Sequence, residues 1–70
     1  MNIKKIRFFL LSHIGSKIVV IYYGSRNKRD KYKGKLLNVY NNVFTIMLEN
    51  GIVKSFNIID ILTKTIQIYI

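Results

Sequence analysis

The fold of this chain follows from two segments rich in β-branched and aromatic residues, KIVVIYY at residues 17–23 and KYKGKLLNVY at residues 31–40. Such residues favour strands because their side chains pack well on a pleated surface. The first segment is apolar at nearly every position, which predicts a central strand or one covered on both sides. The second is charged early and apolar late, and its Gly34 predicts a bend. These segments therefore predict the first two strands of a small, strongly bent sheet.

Turn signals divide the rest of the chain into short elements. Asn41-Asn42 leads into a predicted strand at 43–48, and Asn50-Gly51 is a strong hairpin signal before a strand at 52–56. Residues 58–62 lack alternation and predict a short helical turn, whereas 65–70 alternate and predict a fifth strand. With a helix at its start, the chain is predicted to be mainly β, an N-terminal helix followed by a five-stranded, SH3-like or Sm-like small barrel.

The start of the chain predicts an amphipathic helix at about residues 2–14. Asn2 can cap its beginning, and Gly15 can adopt the left-handed conformation that ends a helix. Phe8 and Leu11 lie off the apolar stripe, so we expect them either to contact a partner or to remain partly exposed. The stripe itself recurs at helical spacing: Ile3, Ile6, Phe9, Leu10 and Ile14.

Length and composition limit the possible functions. Seventy residues make a single domain (1–70), and so small a core favours self-association as one hypothesis. The chain has no Cys, one His and three scattered acidic residues. These residues supply neither a thiolate nucleophile, nor a paired acid and base, nor a metal-ligand set. We therefore expect a protein that is not an enzyme and holds no metal or cofactor.

Two apolar segments bear on localisation. The uncharged run at 36–48 contains three Asn residues and is far shorter than the ~20 residues that span a bilayer. The basic and apolar start, residues 4–11, resembles a signal peptide but has no clear cleavage site after it. We expect a cytoplasmic protein that does not act at a membrane.

Half of the twelve basic residues fall within residues 24–35, opposed only by Asp30. Together with the formal net charge of +9, this clustering favours a polyanionic partner. Strand alternation places the three lysines of 31–35 on one face and Tyr32 on the other. The candidate binding residues are Arg26, Lys28, Arg29, Lys31, Lys33 and Lys35.

The residues alone leave three interpretations of this cluster open. It can bind a nucleic-acid backbone, DNA or RNA, with Tyr32 either packed inside the protein or stacked on an unpaired base. It can bind the acidic surface of a partner protein, with Phe8 and Leu11 as further contacts. It can also be a charged edge that prevents strand-to-strand pairing between molecules.

The chain also resembles a known family over most of its length. The resemblance rests on three blocks, namely Gly24-x-Arg26-x-Lys28, then Gly34-x-Leu36 ahead of Tyr40-x-x-Val43-Phe44, and finally Ser55-Phe56-x-x-x-Asp60-Ile61-Leu62-Thr63. They are similar to those of the Veg family, small proteins of Gram-positive bacteria named for the biofilm-formation stimulator Veg. The chain departs from that pattern at Ser25 and Asn27, where members tend to have a second Gly and a second Arg.

The resemblance implies an N-terminal helix, an SH3-like barrel and no catalytic residues. It also implies a regulatory role in biofilm formation that acts through transcription. The leading hypothesis is therefore a small non-enzymatic regulator that binds nucleic-acid backbone through its basic cluster. The alternative is a protein-interaction adaptor that binds an acidic surface of a transcription regulator.

Overall fold

The computed structural model describes residues 2–24 and 28–70. Within these ranges it forms one five-stranded antiparallel sheet, in the order β4-β3-β2-β1-β5, and two helices. The elements are α1 (Ile3–Leu11), β1 (Lys17–Tyr23), β2 (Arg29–Val39), β3 (Val43–Leu48), β4 (Val53–Asn57), α2 (Ile59–Leu62) and β5 (Ile66–Tyr69). The predicted succession of a helix, four strands, a helical turn and a fifth strand is confirmed.

The core lies between α1 and the face of the sheet turned toward it. Alternate residues of the strands point into it, joined by two residues of α1 and by Ile58 before α2. This face is the inner face, and the opposite side of the sheet is the outer face. The buried side chains are Ile6, Leu10, Ile18, Val20, Leu36, Phe44, Ile46, Ile58 and Ile66.

The sheet is not closed into a barrel, which corrects one part of the predicted architecture. β4 and β5 are its two edge strands, and no pairing joins them among the residues described. Both are short, and α2 lies between them along the chain, in contact with each. Ile6 and Leu10 of α1 complete the core. The helix therefore supplies apolar contacts that a closed sheet would provide from its own strands.

Helix α1 ends three residues earlier than predicted. The Ser12 hydroxyl donates to the Phe9 carbonyl over 2.8 Å, and His13 Nδ1 lies 2.7 Å from the same oxygen. These side chains satisfy a carbonyl of the last turn, so the helix need not continue to do so. Phe9 is also 46% exposed and packs on the His13 ring, with centroids 4.5 Å apart. Its predicted place on the buried stripe is therefore wrong.

Gly34 lies in the middle of β2, where the strand is paired with both of its neighbours. Gly34 is paired with Ile18 on one side and with Leu48 on the other. A Cβ at this position would collide with the carbonyl oxygen of Met47 and lie 2.8 Å from its carbonyl carbon. A register shift follows between Leu36 and Asn38. The sequence predicts a bend at Gly34, and the structure shows a different reason for the glycine, namely a close approach of two backbones that a side chain would prevent.

Arg7 connects α1 to the turn between β2 and β3. Its Nε and Nη2 donate to the backbone carbonyl of Asn41, over 3.0 and 2.8 Å. Because two charge-assisted bonds anchor the helix at this point, we expect Arg7→Ala to lower the free energy of unfolding by about 1–2 kcal/mol. Urea denaturation measures the loss. The control is Lys4→Ala, on the exposed side of the same helix, which should change the free energy of unfolding by less than about 0.5 kcal/mol. Equal stability of the two variants would contradict the anchoring role of Arg7.

Candidate nucleic-acid interface

Four cations of β2 lie on the outer face, one after another along the strand. Arg29, Lys31, Lys33 and Lys35 occupy alternate positions and are all exposed. Alternation along a strand separates neighbours in this line by about 6.7 Å. We call these four residues the β2 row. The predicted placement of the three lysines on one face is confirmed by the strand register.

Lys17 of β1 adds a fifth cation to the same face. It lies directly opposite Lys35 in the β1–β2 pairing. Like charges directly opposite each other on neighbouring strands destabilise a sheet. The outer face therefore carries a repulsion that an anionic ligand would relieve.

The acidic residues leave this positive charge largely unopposed. Asp30 pairs with Tyr22 and shares the inner-face side of β2 with Tyr32, so it points away from the row. Asp60 belongs to α2 and lines the same depression as Asp30. Glu49, just after β3, is the exception, because it lines a shallow depression together with Lys31 and Lys33. Five cations of the outer face thus stand beside one carboxylate.

Lys28, a further candidate of the basic cluster, lies directly before β2. Lys28 is exposed, and its carbonyl accepts a 2.9 Å bond from the Gly24 N–H, which closes the loop between β1 and β2. Arg26 lies outside the described residues. Lys28 is therefore next to Arg29, the first residue of the β2 row, along the chain.

Tyr32 packs within the protein. Its ring lies 5.6 Å from that of Phe56, and the Lys54 ammonium stands 4.8 Å from its centroid. Both partners lie on the inner side of the sheet, opposite the β2 row. Of packing and base stacking, the two roles predicted for Tyr32, the structure therefore supports packing.

Phe8 and Leu11 project from α1 as expected from their place off the stripe. Phe8 is 63% exposed, and Leu11 is exposed as well. The helix packs on the inner face, whereas the β2 row lies on the outer face. The structure therefore does not bring these two apolar residues together with the cations.

The outer face also carries a cluster of three polar side chains that the sequence pattern did not predict. The hydroxyls of Tyr23 and Tyr69 both donate to Gln67 Oε1, over 2.8 and 2.9 Å. The Arg29 guanidinium stands 5.9 Å from the centre of the Tyr23 ring. Alternation along β5 places Gln67 and Tyr69 on one side of their strand, but which residues of β1 they meet depends on long-range pairing.

The β2 row presents several positive charges in succession, which is an arrangement suited to binding a polymer that carries repeated negative charges. Across the described chain, no group of three or more His, Cys, Asp or Glu residues is placed to hold a metal ion. His13 is engaged with Phe9 at the end of α1. Exposed ammonium and guanidinium groups that follow one strand can contact successive charges of a polymer. No helix in 2–24 or 28–70 is long and apolar enough to cross a membrane.

Comparison with known proteins identifies the family. The family model described as biofilm formation stimulator VEG matches residues 1–69. No curated protein matches the chain. The family match spans α1, all five strands and the whole outer face, and it confirms the resemblance found in the sequence. The chain therefore belongs to the biofilm formation stimulator VEG family.

Proposed function

We propose that this protein is a non-enzymatic regulator that binds the phosphate backbone of nucleic acid along the β2 row. Membership of the VEG family associates the chain with biofilm formation, and binding to nucleic acid is a direct way for so small a protein to influence transcription. The observation that carries the proposal is the alignment of Arg29, Lys31, Lys33 and Lys35 on one exposed face.

The spacing of the row suits a nucleic-acid backbone. One strand of duplex DNA carries a phosphate about every 3.4 Å along its axis, and the row presents a cation about every 6.7 Å. Phosphates are therefore dense enough along the polymer for several cations of the row to contact one molecule at once. Contacts of this kind fix a protein on the polymer without reading its sequence, so we expect broad binding of DNA and RNA.

The charge balance favours the same partner. Lys17 and Lys35 face each other across the strands, and only Glu49 offsets the positive charge of this surface among the described residues. The repulsion between these lysines does not stabilise the folded protein. The same positive charge attracts a polyanion. A surface that serves only to block edge pairing has no need of a row on β2, because β2 lies inside the sheet rather than at its edge.

Salt dependence tests the proposal. Five phosphate contacts release counterions, so the logarithm of the affinity should fall with the logarithm of salt concentration at a slope of about −4.5 for duplex DNA and about −3.5 for single strands. Fluorescence anisotropy with labelled oligonucleotides, repeated at several salt concentrations, measures the slope. An affinity that hardly changes with salt, or no binding at low salt, would refute phosphate binding by the row.

An acidic protein surface is the second candidate, and the exposure of Phe8 and Leu11 favours it. These side chains offer apolar contacts that a nucleic-acid backbone would not use. Affinity capture from a lysate, with and without nuclease digestion, separates the two candidates. A partner protein that stays bound after digestion and is lost in a Phe8→Ser/Leu11→Ser variant would support the adaptor. Loss of all captured material on digestion supports nucleic acid.

A further inference from the structure

Tyr69 is an exposed aromatic side chain held in a fixed position on the outer face. Its hydroxyl donates to Gln67 Oε1 over 2.9 Å, and the same oxygen accepts the hydroxyl of Tyr23. The shared acceptor fixes the phenol of Tyr69 although 55% of the residue remains exposed. An aromatic ring that is already ordered loses little conformational freedom when a flat ligand stacks on it.

The neighbouring tyrosine is less available. The Arg29 guanidinium stands 5.9 Å from the centre of the Tyr23 ring, and Tyr23 is half-buried. This cation–π contact places Arg29, the first cation of the β2 row, beside the hydrogen-bonded group of Tyr23, Gln67 and Tyr69. Tyr69 is therefore the tyrosine whose ring is accessible to a ligand. Tyr23 links the hydrogen-bonded group to Arg29 of the β2 row.

The strand register aligns Tyr69 with the cations. Val19 of β1 pairs with Tyr69 on one side and with Lys33 on the other. The three residues thus form a line across β5, β1 and β2, and two strand spacings, about 9.6 Å, separate the backbone positions of Tyr69 and Lys33. A flexible lysine side chain covers much of that distance. One nucleotide can therefore place its base near Tyr69 and its phosphate near the row.

We propose that the outer face prefers single-stranded nucleic acid to duplex, with an unpaired base stacked on Tyr69 and the adjoining phosphates on the β2 row. This inference rests on the proposed function and adds a base-stacking subsite to it. An unpaired base exposes its π face to an aromatic side chain, whereas a duplex hides its base faces within the stack. Duplex nucleic acid then contacts the row through its phosphates alone.

The test compares single-stranded and duplex oligonucleotides of equal length by fluorescence anisotropy at one salt concentration. Base–aromatic stacking contributes about 1–3 kcal/mol per base. Tyr69→Ala should therefore weaken single-strand binding by roughly 5- to 150-fold, a factor of ten for each 1.4 kcal/mol. Duplex binding should stay within about twofold, because phosphate contacts do not involve the ring. Tyr69→Phe keeps the ring but loses the hydrogen bond to Gln67, so its single-strand affinity should lie between those of the wild-type protein and Tyr69→Ala.

Tyr40→Ala is the matched control. Tyr40 is 56% exposed, almost the same as Tyr69, but lies just beyond the end of β2, before the turn into β3. It should leave both affinities unchanged. A probe whose bases have been removed provides a test on the wild-type protein that does not depend on the folding of any variant. The abasic strand should bind several-fold more weakly than the intact strand.

Each outcome separates the subsite from the function on which it rests. Absence of binding to every probe refutes the proposed function and the subsite together. Equal affinity of the wild-type protein for intact and abasic strands overturns the subsite alone, as does an unchanged single-strand affinity of Tyr69→Ala. In both of these cases phosphate binding by the row still stands.

Discussion

Changing Lys31, Lys33 and Lys35 together to glutamate will weaken binding to single-stranded and duplex nucleic acid by at least about 100-fold. Each lysine contributes on the order of 1 kcal/mol of attraction to a phosphate in high dielectric. Three lost attractions amount to about 3 kcal/mol, and three new repulsions add to the loss. The salt slope should also become shallower, by about 0.9 for each contact removed. Anisotropy titrations at several salt concentrations measure both effects.

A second triple variant separates the position of the charges from their number. Lys4→Glu/Lys5→Glu/Lys64→Glu reverses three exposed lysines outside the β2 row. Because Lys5 and Lys64 line a depression together with Tyr69, the two triples are compared on duplex DNA, which does not use the Tyr69 ring. Either triple lowers the formal net charge from +9 to +3, because each change removes two positive charges. We expect the control triple to lose only a few-fold in affinity, through the long-range field. Equal losses in the two triples would show that net charge, rather than the β2 row, governs binding.

The row variant should remain folded. Its three lysines are exposed, and none of their ammonium groups makes a hydrogen bond to another described residue. Glutamate at position 35 would face Lys17, which replaces a repulsive pair with an attractive one, whereas glutamate at position 33 would lie near Glu49. These effects oppose each other, so an unchanged circular dichroism spectrum and unfolding midpoint are expected.

Gly34→Ala should destabilise the protein more than Arg7→Ala does. The new Cβ would overlap the carbonyl oxygen of Met47 and lie 2.8 Å from its carbonyl carbon and 3.1 Å from the Leu48 Cα. These are backbone atoms of a paired strand, so no side chain can move aside. We expect a loss of about 3 kcal/mol or more, which is a large part of the total stability of a domain this small. Urea or thermal unfolding measures it.

Gly24→Ala is the control for this change. A Cβ at Gly24 meets its nearest neighbours at 3.5 and 3.7 Å, which are ordinary contacts. Its unfolding free energy should stay within about 0.5 kcal/mol of the wild-type value. If Gly34→Ala were equally benign, β2 and β3 would not approach each other as closely as described.

The fold was predictable from the sequence wherever local patterns determine it. β1 was predicted with the bounds observed, because an unbroken run of β-branched and aromatic residues requires no knowledge of distant neighbours. The turn at Asn50-Gly51 was equally local. Barrel closure was not predictable in this way, because it depends on whether β4 and β5 meet, and two short edge strands give no local sign of that. The early end of α1 was not predictable either, because it follows from the hydrogen bonds that the Ser12 and His13 side chains make to the Phe9 carbonyl.

The candidate site likewise has one part that local sequence patterns predict and another part that depends on long-range strand pairing. The alternation of lysines in β2 is a local pattern, so three members of the β2 row could be assigned to one face from the sequence. The position of Lys17 and Tyr69 on the same face as the β2 row could be known only from the pairing of β1 with β2 and β5. The sequence drew attention to Tyr32 because it is adjacent to the lysines along the chain. Adjacent residues on a strand point to opposite faces, and the structure packs Tyr32 against Phe56.

The most direct test of the central claim is a map of amide chemical-shift changes when a single-stranded oligonucleotide is added to the isotope-labelled protein. If the outer face is the interface, the largest changes will fall on residues 17–23 of β1, 29–35 of β2 and 66–69 of β5, while α1 and β4 remain nearly unchanged. Changes concentrated on α1, with the amides of β2 unaffected, would contradict the claim, since they would place the ligand on the opposite side of the sheet.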